Sequence, residues 1–397
     1  MAEKIILAYS GGLDTSVAIT WLKENYGYDV VAFGISLGGG EDMDEAVERA
    51  GRNGAVEALW VDAGREFADR FLSRAILANA LYEEKYPLAT ALGRPLIVEK
   101  MVEQARKSGA VAVAHGCTGK GNDQVRFDVG LATLAPDLKV IAPIREWKMS
   151  RQQEIDYAAE HGIEIKVDKN KIYSIDANIW GCAIEGGELE DPWNEPGGGV
   201  HLMTKNADEC PDKPAYALLT FEKGLPVALD GDPMPLAEII GKLNAIAGDN
   251  GVGRIDMVEN RLVGIKSREV YEAPAAISII TAHKALESLV MEREMMRYKR
   301  QAEQKYAETV YNGQWFSPVR EALDAFFAAA QDNVRGDVKL KYCKGNLTVA
   351  GMRSPASLYK YELSTYDTAD EFHHDAAEGF IELYGLPLTE WAKVNKK

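Results

Sequence analysis

A glycine-containing stretch near the start of the chain constrains the fold more than any other feature of the sequence. It is Ala8-Tyr9-Ser10-Gly11-Gly12-Leu13-Asp14-Thr15-Ser16. Before it, the apolar run Ile5–Leu7 predicts a buried strand; after it, the apolar stripe Val17, Trp21 and Leu22 predicts a helix. A strand, a glycine turn and a helix in this order direct free backbone N–H groups at one point, where they bind an anion. The stretch therefore predicts an α/β fold with a phosphate site at its first turn.

The residue types in this stretch support the same interpretation. Gly11 and Gly12 carry no Cβ that would keep the backbone away from a phosphate. Asp14 would repel a phosphate unless a cation lies between them, and we expect it to help hold Mg²⁺. Three hydroxyl side chains surround the turn: Ser10, Thr15 and Ser16. The stretch is neither a Walker A loop nor a Gly-x-Gly-x-x-Gly loop. The alternative is a tight turn with a Ser or Asp cap and no ligand.

The pattern that follows predicts a doubly wound parallel sheet. Short apolar runs alternate with helical segments such as 42–51 and 98–108. The predicted strands are 29–35, 56–61, 110–114 and 139–144. In such sheets ligands bind beyond the carboxyl ends of the strands, so the informative residues should follow each strand.

Beyond a capping box at Ser150–Gln153 the sequence pattern changes, and we place a domain boundary at residue 165. The second domain, 166–365, has an α+β pattern. It contains a loop rich in Gly and Pro, strand-like segments, a helix from 235 to 247 and one or two helices between 275 and 312. The last part, 366–397, predicts an amphipathic helix and a tail, and the helix would dock either on its own domain or on a neighbouring subunit as an oligomerisation helix. That helix would begin at a second capping box, Thr368–Glu371, and end at Gly385-Leu386-Pro387.

Composition limits the classes of function. The 397 residues include 61 acidic and 45 basic side chains, a net charge of −16, which argues against a nucleic-acid partner. No apolar run is long enough to span a bilayer, and no signal-peptide pattern is present. The four cysteines are scattered, which is typical of a reduced cytoplasmic protein.

A second stretch, from His115 to Asp128, follows the strand predicted at 110–114. Its glycines allow a loop to lie against a ligand, and its polar side chains include both donors and acceptors. This mixture suits a zwitterionic amino acid. The alternative is a helix start capped by Asn122 and Asp123.

Taken together, these motifs resemble those of the argininosuccinate synthase family, within the ATP pyrophosphatases of the PP-loop superfamily. The resemblance runs in order through most of the chain, in these segments: Ala8–Ser16, Leu81–Leu88, Gly93–Pro95, His115–Asp128, Ile144–Trp147, Tyr173–Asn178, Gly253–Asn260 and Lys266–Glu272. It implies an N-terminal domain of the adenine nucleotide alpha hydrolase-like fold. It also implies a homotetramer in which the C-terminal helix reaches a neighbouring subunit.

The resemblance implies that ATP, citrulline and aspartate give argininosuccinate, AMP and PPi through a citrullyl-AMP intermediate, a step of arginine biosynthesis. ATP would be held by Ala8, Tyr9, Ser10, Gly11, Gly12, Leu13, Asp14, Thr15, Ser16, Ile35 and Gly116. Citrulline would be held by Tyr86, Asn122, Arg126, Ser174, Glu259 and Tyr271. Aspartate would be held by Thr118, Asn122 and Asp123. We expect Asp14, Asp123 and Arg126 to position the reacting groups. The proton acceptor for the aspartate amine stays open among Asp123, the departing phosphate and solvent.

Two positions depart from the family pattern. Ala91 and Ala183 stand where a serine often contacts citrulline, and the adjacent Thr90 and Cys182, or backbone contacts, would have to compensate. Within the second stretch, we expect Cys117 and His115 to have structural roles.

Three other functions are known for proteins with loops or folds of this type. A transfer-RNA thiolation or lysidine enzyme would need basic surface and often paired cysteines, and a glutamine-dependent synthetase would need an amidotransferase nucleophile or domain. The sequence has neither a basic excess nor paired cysteines, and it shows no amidotransferase nucleophile or domain. A non-catalytic nucleotide-binding protein is the rival from another class. The complete glycine stretch together with the second stretch argues against it.

Overall fold

The computed structural model describes residues 2–40, 43–165, 173–197, 199–367 and 370–396. In its first part strands and helices alternate, as predicted. The elements are β1 (Lys4–Ala8), α1 (Leu13–Tyr26), β2 (Asp29–Ser36), α2 (Met43–Arg52), β3 (Glu57–Asp62), α3 (Gly64–Phe67), a π-helical turn (Ala68–Leu72), α4 (Ser73–Leu77), α5 (Ala89–Ser108), β4 (Ala112–Ala114), α6 (Asp123–Leu134), β5 (Lys139–Ile141), α7 (Pro143–Trp147) and α8 (Arg151–Glu160).

These five strands form one parallel sheet in the order β3-β2-β1-β4-β5, which confirms the predicted doubly wound sheet. Along β1, Ile5 and Leu7 pack with helix residues on one face, while Ile6 packs into a second apolar cluster on the other. Both faces are covered, which explains why the strands are continuous apolar runs. Strands are added toward one edge of the sheet from β1 to β3 and toward the other edge from β4 to β5. The point of reversal, between β1 and β4, leaves a crevice at the carboxyl ends of the strands.

The second part of the chain is built from antiparallel strands and longer helices. Its elements are β6 (Ser174–Asn178), β7 (Gly181–Glu185), a 3₁₀ turn (Gly187–Glu190), β8 (Ala215–Glu222), β9 (Leu225–Leu229), β10 (Asp232–Pro233), α9 (Leu236–Asp249), β11 (Arg254–Asn260), β12 (Lys266–Glu272), α10 (Pro274–Val290), α11 (Arg293–Tyr311), α12 (Pro318–Ala330), β13 (Gly336–Cys343), β14 (Asn346–Arg353), α13 (Tyr361–Ser364) and α14 (His374–Asn395).

Two antiparallel sheets result, with strand orders β10-β9-β8-β13-β14 and β11-β12-β7-β6. In the second sheet Asp176 pairs with Ala183, and Ala183 pairs with Tyr271. Residues paired across antiparallel strands lie on the same face, so these three form one row. Asn178 and Trp180 then attach this sheet to the chain around the start of α5, through hydrogen bonds to the carbonyls of Ala89 (2.9 Å) and Pro87 (2.8 Å).

Several predicted element boundaries were wrong. The strand predicted at 139–144 ends at Ile141, because Pro143 opens α7. The helix predicted at 98–108 begins earlier, at Ala89, and runs through Pro95 because its flanks Leu92 and Leu96 are fully buried. The segment 275–312, predicted as one or two helices, forms two, separated by the extended backbone of Met291 and Glu292, and this agrees with the second alternative.

The C-terminal helix differs most from its prediction. Part of the predicted capping box, Thr368 and Ala369, lies outside the described residues, and α14 begins only at His374. It continues through Pro387 to Asn395 instead of ending at Gly385. None of its residues is buried. Across the described ranges, no helix is both long and apolar enough to cross a membrane.

Candidate active site

A cavity of about 500 Å³ lies at the carboxyl ends of β1, β2 and β4. The row Asp176, Ala183 and Tyr271 of the antiparallel sheet closes it from the other side. The predicted site residues that line it are Ala8, Tyr9, Ser10, Gly12, Asp14, Thr15, Ile35, Tyr86, Gly116, Thr118, Asn122, Asp123, Arg126, Ser174, Glu259 and Tyr271. Residues from seven separate segments of the chain therefore meet in one place.

Three predicted residues, Gly11, Leu13 and Ser16, do not line the cavity. Leu13 packs instead against α8, in an apolar cluster with Ala158 and Ile163. Ser16 is fully buried, 3.4 Å from the Tyr9 hydroxyl. Leu13 and Ser16 therefore pack on the side of the loop that faces away from the cavity.

The glycine loop ends directly at the N-terminus of α1. Gly12 is the N-cap residue, with extended backbone, and no side chain caps the helix. Its N–H points toward Ser10 Oγ at a long 3.4 Å, and Ser10 Oγ lies 3.2 Å from Thr15 Oγ1. A Cβ built on Gly12 meets nothing nearer than 3.5 Å. The cavity side of this turn thus presents backbone and hydroxyl donors with open space above them.

The loop after β4 packs against the glycine loop. A Cβ at Gly116 would come within 2.9 Å of Thr15 Cγ2, so this close approach requires glycine. Beside it, His115 Nδ1 accepts a hydrogen bond from the Cys117 N–H (3.2 Å), and Nε2 faces Asp128 Oδ1 at 2.8 Å. Both ring nitrogens of this fully buried histidine are engaged within the protein, in agreement with the expected structural role.

Asn122 and Asp123 begin α6 but do not cap it with their side chains. The Asn122 amide donates to the Tyr311 hydroxyl (2.8 Å) and accepts from the Leu262 N–H (2.8 Å). Asp123 accepts from Arg94 through Oδ2 and from Arg126 through Oδ1, both at 2.8 Å. The capped-helix alternative therefore does not describe these residues.

Two arginines dominate the electrostatics around Asp123. Burial would raise the pKa of Asp123, but the charges of Arg94 and Arg126 outweigh it and lower that pKa to about 2. Arg126 also donates from Nε to the carbonyl of Tyr311 (3.0 Å). Its Nη2 is buried without a hydrogen-bond partner in the described part of the chain. A buried, unpaired guanidinium donor facing a cavity fits an anionic or carbonyl ligand.

Glu259 is held by two tyrosines at another wall. The Tyr271 hydroxyl donates to its Oε2 at 2.6 Å, and the Tyr311 hydroxyl donates to its Oε1. Burial raises the pKa of Glu259 above its ordinary value, although both hydroxyls oppose the shift. Tyr86 stacks on Tyr271 with ring centroids 3.9 Å apart. This wall offers an aromatic surface and a fixed carboxyl group.

Other cavity residues lie outside the predicted substrate contacts. Arg94 bridges Asp123 and Asp176, and Arg261 bridges Glu185 and Glu269. Asp176 follows Ser174 by two residues on a strand, so strand alternation carried a signal for it. Tyr311 had no such signal, because it lies 189 residues along the chain from Asn122, which it contacts. Arg261 directly follows the segment 253–260 but matches none of the motifs.

The two departures from the family pattern differ in position. Ala183 lines the cavity, between Asp176 and Tyr271, whereas Ala91 packs in the core. Of the two proposed substitutes, Thr90 lines the cavity and its hydroxyl is buried. Cys182 instead packs in a separate apolar cluster with Ile184 and Val270. The described residues thus leave Thr90 as the side chain able to compensate.

Asp14 has a carboxyl neighbour that the sequence did not indicate, Glu154 of α8. Burial raises the pKa of Glu154 to about 8, and a hydrogen bond with Asp14 adds to the shift. Among the described residues no group of three or more His, Cys, Asp or Glu is arranged to hold a metal.

Comparisons with known proteins show the family of the chain. A family model described as the arginosuccinate synthase N-terminal HUP domain matches residues 4–164, and one described as the arginosuccinate synthase C-terminal domain matches 173–391. The argininosuccinate synthase of Rubrobacter xylanophilus is 54% identical, over 99% of this chain and 96% of its own length. That of Geobacillus kaustophilus is 55% identical, over 99% and 97%.

Among solved structures, a predicted tRNA methyltransferase subunit from Methanocaldococcus jannaschii gives a TM-score of 0.28 at 15% identity, over 40% of this chain and 76% of that one. The family models cover nearly the whole chain, and the full-length relatives share more than half of its residues. The chain belongs to the argininosuccinate synthase family, whose members join citrulline and aspartate into argininosuccinate while ATP is cleaved to AMP and PPi.

Proposed function

We propose that the cavity is the active site and that its walls divide the three substrates. The observation that carries this proposal is that residues of the glycine loop and of the second stretch, among them Thr118, Asn122, Asp123 and Arg126, line one cavity. The ATP phosphates would lie on the backbone of the glycine loop, with Ile35 and Gly116 beside the rest of the nucleotide. Gly11, Leu13 and Ser16 would support this loop without touching ATP.

Citrulline would lie along the wall of Tyr86, Tyr271 and Glu259, with Ser174, Asn122 and Arg126 as further contacts. The unpaired Nη2 of Arg126 and the aromatic stack support this assignment. Aspartate would lie at Thr118, Asn122 and Asp123, where an ionised carboxylate is available for an ammonium group. Arg94 would hold that carboxylate in place.

The chemistry follows from what citrulline lacks. Its ureido oxygen is a poor leaving group, so it first attacks the α-phosphorus of ATP; the α–β P–O bond breaks and PPi leaves. The aspartate amine then attacks the activated ureido carbon, the C–O bond breaks, and AMP leaves with the former ureido oxygen. The amine loses a proton in this second step. The protein would contribute mainly positioning and charge stabilisation.

Asp123 is a poor candidate for accepting that proton. Both of its oxygens receive arginine hydrogen bonds, and its pKa is lowered to about 2. A group with so low a pKa has little driving force to take a proton near neutral pH. We therefore assign Asp123 to binding the ammonium form, and leave proton acceptance to the departing phosphate or to solvent.

Mg²⁺ would enter with ATP and reduce the negative charge of its phosphates. Asp14 lines the cavity beside the glycine loop, and one carboxylate with phosphate oxygens is a ligand set that Mg²⁺ takes. The absence of a larger acidic or imidazole group among the described residues is compatible with this arrangement, since the phosphates would supply the remaining oxygens.

The experiment that tests the ATP assignment is Gly12→Val. Gly12 has φ −78°, which valine can adopt, and a Cβ there meets nothing within 3.4 Å. The variant should fold, with the added side chain occupying phosphate space and lowering ATP affinity at least about 100-fold by steric overlap. Isothermal titration with ATP measures this, and Gly51→Val, on an open helix surface, is the control. Unchanged ATP affinity in folded Gly12→Val would refute the assignment.

We further propose a cytoplasmic homotetramer. The helix α14 exposes several large apolar side chains, among them Ile381, Leu383 and Leu388, each 67% exposed or more. Such a surface fits a neighbouring subunit. Sedimentation of a chain truncated after residue 372 should give a smaller species than the full chain, and an unchanged mass would contradict this role for α14.

A further inference from the structure

A buried arginine lies directly beneath the glycine loop and has no part in the site described above. Arg49, on α2, is only 5% exposed. Its Nη2 donates to the carbonyl oxygen of Gly11 at 3.2 Å, and its Nη1 donates to Glu45 Oε1 at 2.8 Å. Its Nε is buried without a hydrogen-bond partner among the described residues. Because burying a charge is costly, a cation in this position needs a reason.

The hydrogen bond to Gly11 sets the direction of the next backbone donor. In a trans peptide the C=O and the N–H point to opposite sides, and no described peptide bond is cis. With the Gly11 carbonyl held toward Arg49, the Gly12 N–H must point away from it. On that side it meets Ser10 Oγ at 3.4 Å, a contact long enough for a better acceptor to replace it.

Gly11 itself is shaped by this contact. Its φ is +73°, a left-handed conformation that favours glycine. A Cβ at this position would also come within 2.8 Å of Arg49 Nη2. The two loop glycines therefore differ: Gly12 faces the cavity, whereas Gly11 is required where the loop meets the buried arginine.

The charge of Arg49, which lies on α2, is close to the N-terminus of α1, where a positive charge is unusual. The N-terminus of α1 already carries partial positive charge, so a cation close behind it is unfavourable in the empty protein. The same charge becomes favourable once a polyanion occupies the turn. Glu45, which forms an ion pair with Arg49, has a side chain that is 41% exposed, so solvent weakens that pairing.

We propose that Arg49 is a positioning residue for the pyrophosphate part of ATP: it fixes the Gly11–Gly12 peptide so that the Gly12 N–H faces the phosphates, and it places a positive charge behind them. This inference rests on the proposed assignment of the glycine loop to the ATP phosphates. Arg49 touches no substrate in this account.

The test compares Arg49→Met, which keeps the length of the side chain without charge or donors, with Arg49→Lys, which keeps the charge and one donor. Arg52→Met, on the exposed side of the same helix, is the matched control. PPi is the probe, through its inhibition constant against ATP. For Arg49→Met we expect PPi and ATP to bind about tenfold or more weakly, the effect of one charge-assisted hydrogen bond, with the citrulline KM within about twofold.

Arg49→Lys should restore most of the PPi affinity, since the observed contact to Gly11 uses a single N–H. A purely structural role would instead weaken PPi, ATP and citrulline together and would not follow the charge. If Arg49→Met does not fold, Arg49→Gln takes its place.

The outcomes separate this inference from the proposal beneath it. PPi inhibition that is lost in Gly12→Val but unchanged in folded Arg49→Met would overturn the role of Arg49 alone. PPi inhibition unchanged in Gly12→Val would overturn the loop assignment itself. A lysine variant as weak as the methionine variant would also overturn the role given to Arg49.

Discussion

Arg126→Lys tests most sharply the proposed binding of citrulline along the wall of Tyr86, Tyr271 and Glu259. This substitution keeps the positive charge and removes the planar set of guanidinium N–H donors. In the protein Arg126 donates to Asp123 (2.8 Å) and to the Tyr311 carbonyl (3.0 Å), and its Nη2 stays unpaired. Its guanidinium also lies 4.9 Å from the centre of the Tyr311 ring. A lysine ammonium is a compact point charge. It cannot donate to Asp123, to the Tyr311 carbonyl and to a ligand in the directions that the guanidinium nitrogens take.

The magnitude follows from the groups left without partners. The ammonium will keep the ion pair with Asp123, since that pair is the stronger interaction. The buried Tyr311 carbonyl then loses its donor. Citrulline loses its hydrogen bond from Nη2, and a hydrogen bond from a charged donor contributes about 1.5–3 kcal/mol. Citrulline binding should therefore weaken about 10- to 100-fold.

Steady-state kinetics at saturating aspartate measures this effect. The citrulline KM should rise by that factor, while the ATP KM should stay within about twofold, because the glycine loop is untouched. Arg145→Lys is the control: Arg145 pairs with Asp128 at 2.7 Å but does not line the cavity. Equal increases in both KM values, or no increase in the citrulline KM, would refute the reasoning.

Two further predictions concern the pH dependence of stability and the reactivity of a thiol. Burial, with Glu185 nearby, raises the pKa of Glu269 to about 8, from about 4.3 in an unfolded chain. The folded protein therefore keeps a proton that the unfolded chain releases, so this contribution to stability is lost as pH rises toward 8. The Tm of Glu269→Gln should gain on wild type between about pH 5 and 8.5, and a pH-independent difference would contradict this. Burial also raises the pKa of the Cys117 thiol, which should make it unreactive, so Cys117→Ser should keep kcat within about threefold; a larger loss would point to a catalytic role.

The sequence predicted the sheet and the glycine turn before α1 because both depend on local patterns. Ile5–Leu7, the glycines and the helical stripe after them lie within about twenty residues, and each follows known steric preferences. The side-chain directions at Asn122 were not predictable in this way. Its partner Tyr311 lies 189 residues further along the chain, and a helix cap was equally compatible with the local sequence.

Boundaries failed where tertiary packing outweighed a local signal. Pro95 would ordinarily discourage a helix, yet α5 continues through it because Leu92 and Leu96 are buried. Pro387 also lies within α14 and does not end it, but no residue of α14 is buried, so packing within this chain does not explain that boundary. The role proposed for Arg49 had no sequence signal, because an arginine on an amphipathic helix normally faces solvent.

The central claim is that citrulline is activated before aspartate reacts, in a cavity whose walls divide the substrates. Positional isotope exchange within ATP measures it directly, since scrambling of labelled bridging oxygen reports reversible release of PPi. Scrambling should occur with citrulline alone. In Thr118→Val, which removes one hydroxyl from the aspartate side and leaves the glycine loop intact, scrambling should persist while argininosuccinate formation slows. A requirement for aspartate would contradict the order of steps, and loss of scrambling in folded Thr118→Val would contradict the division of the cavity.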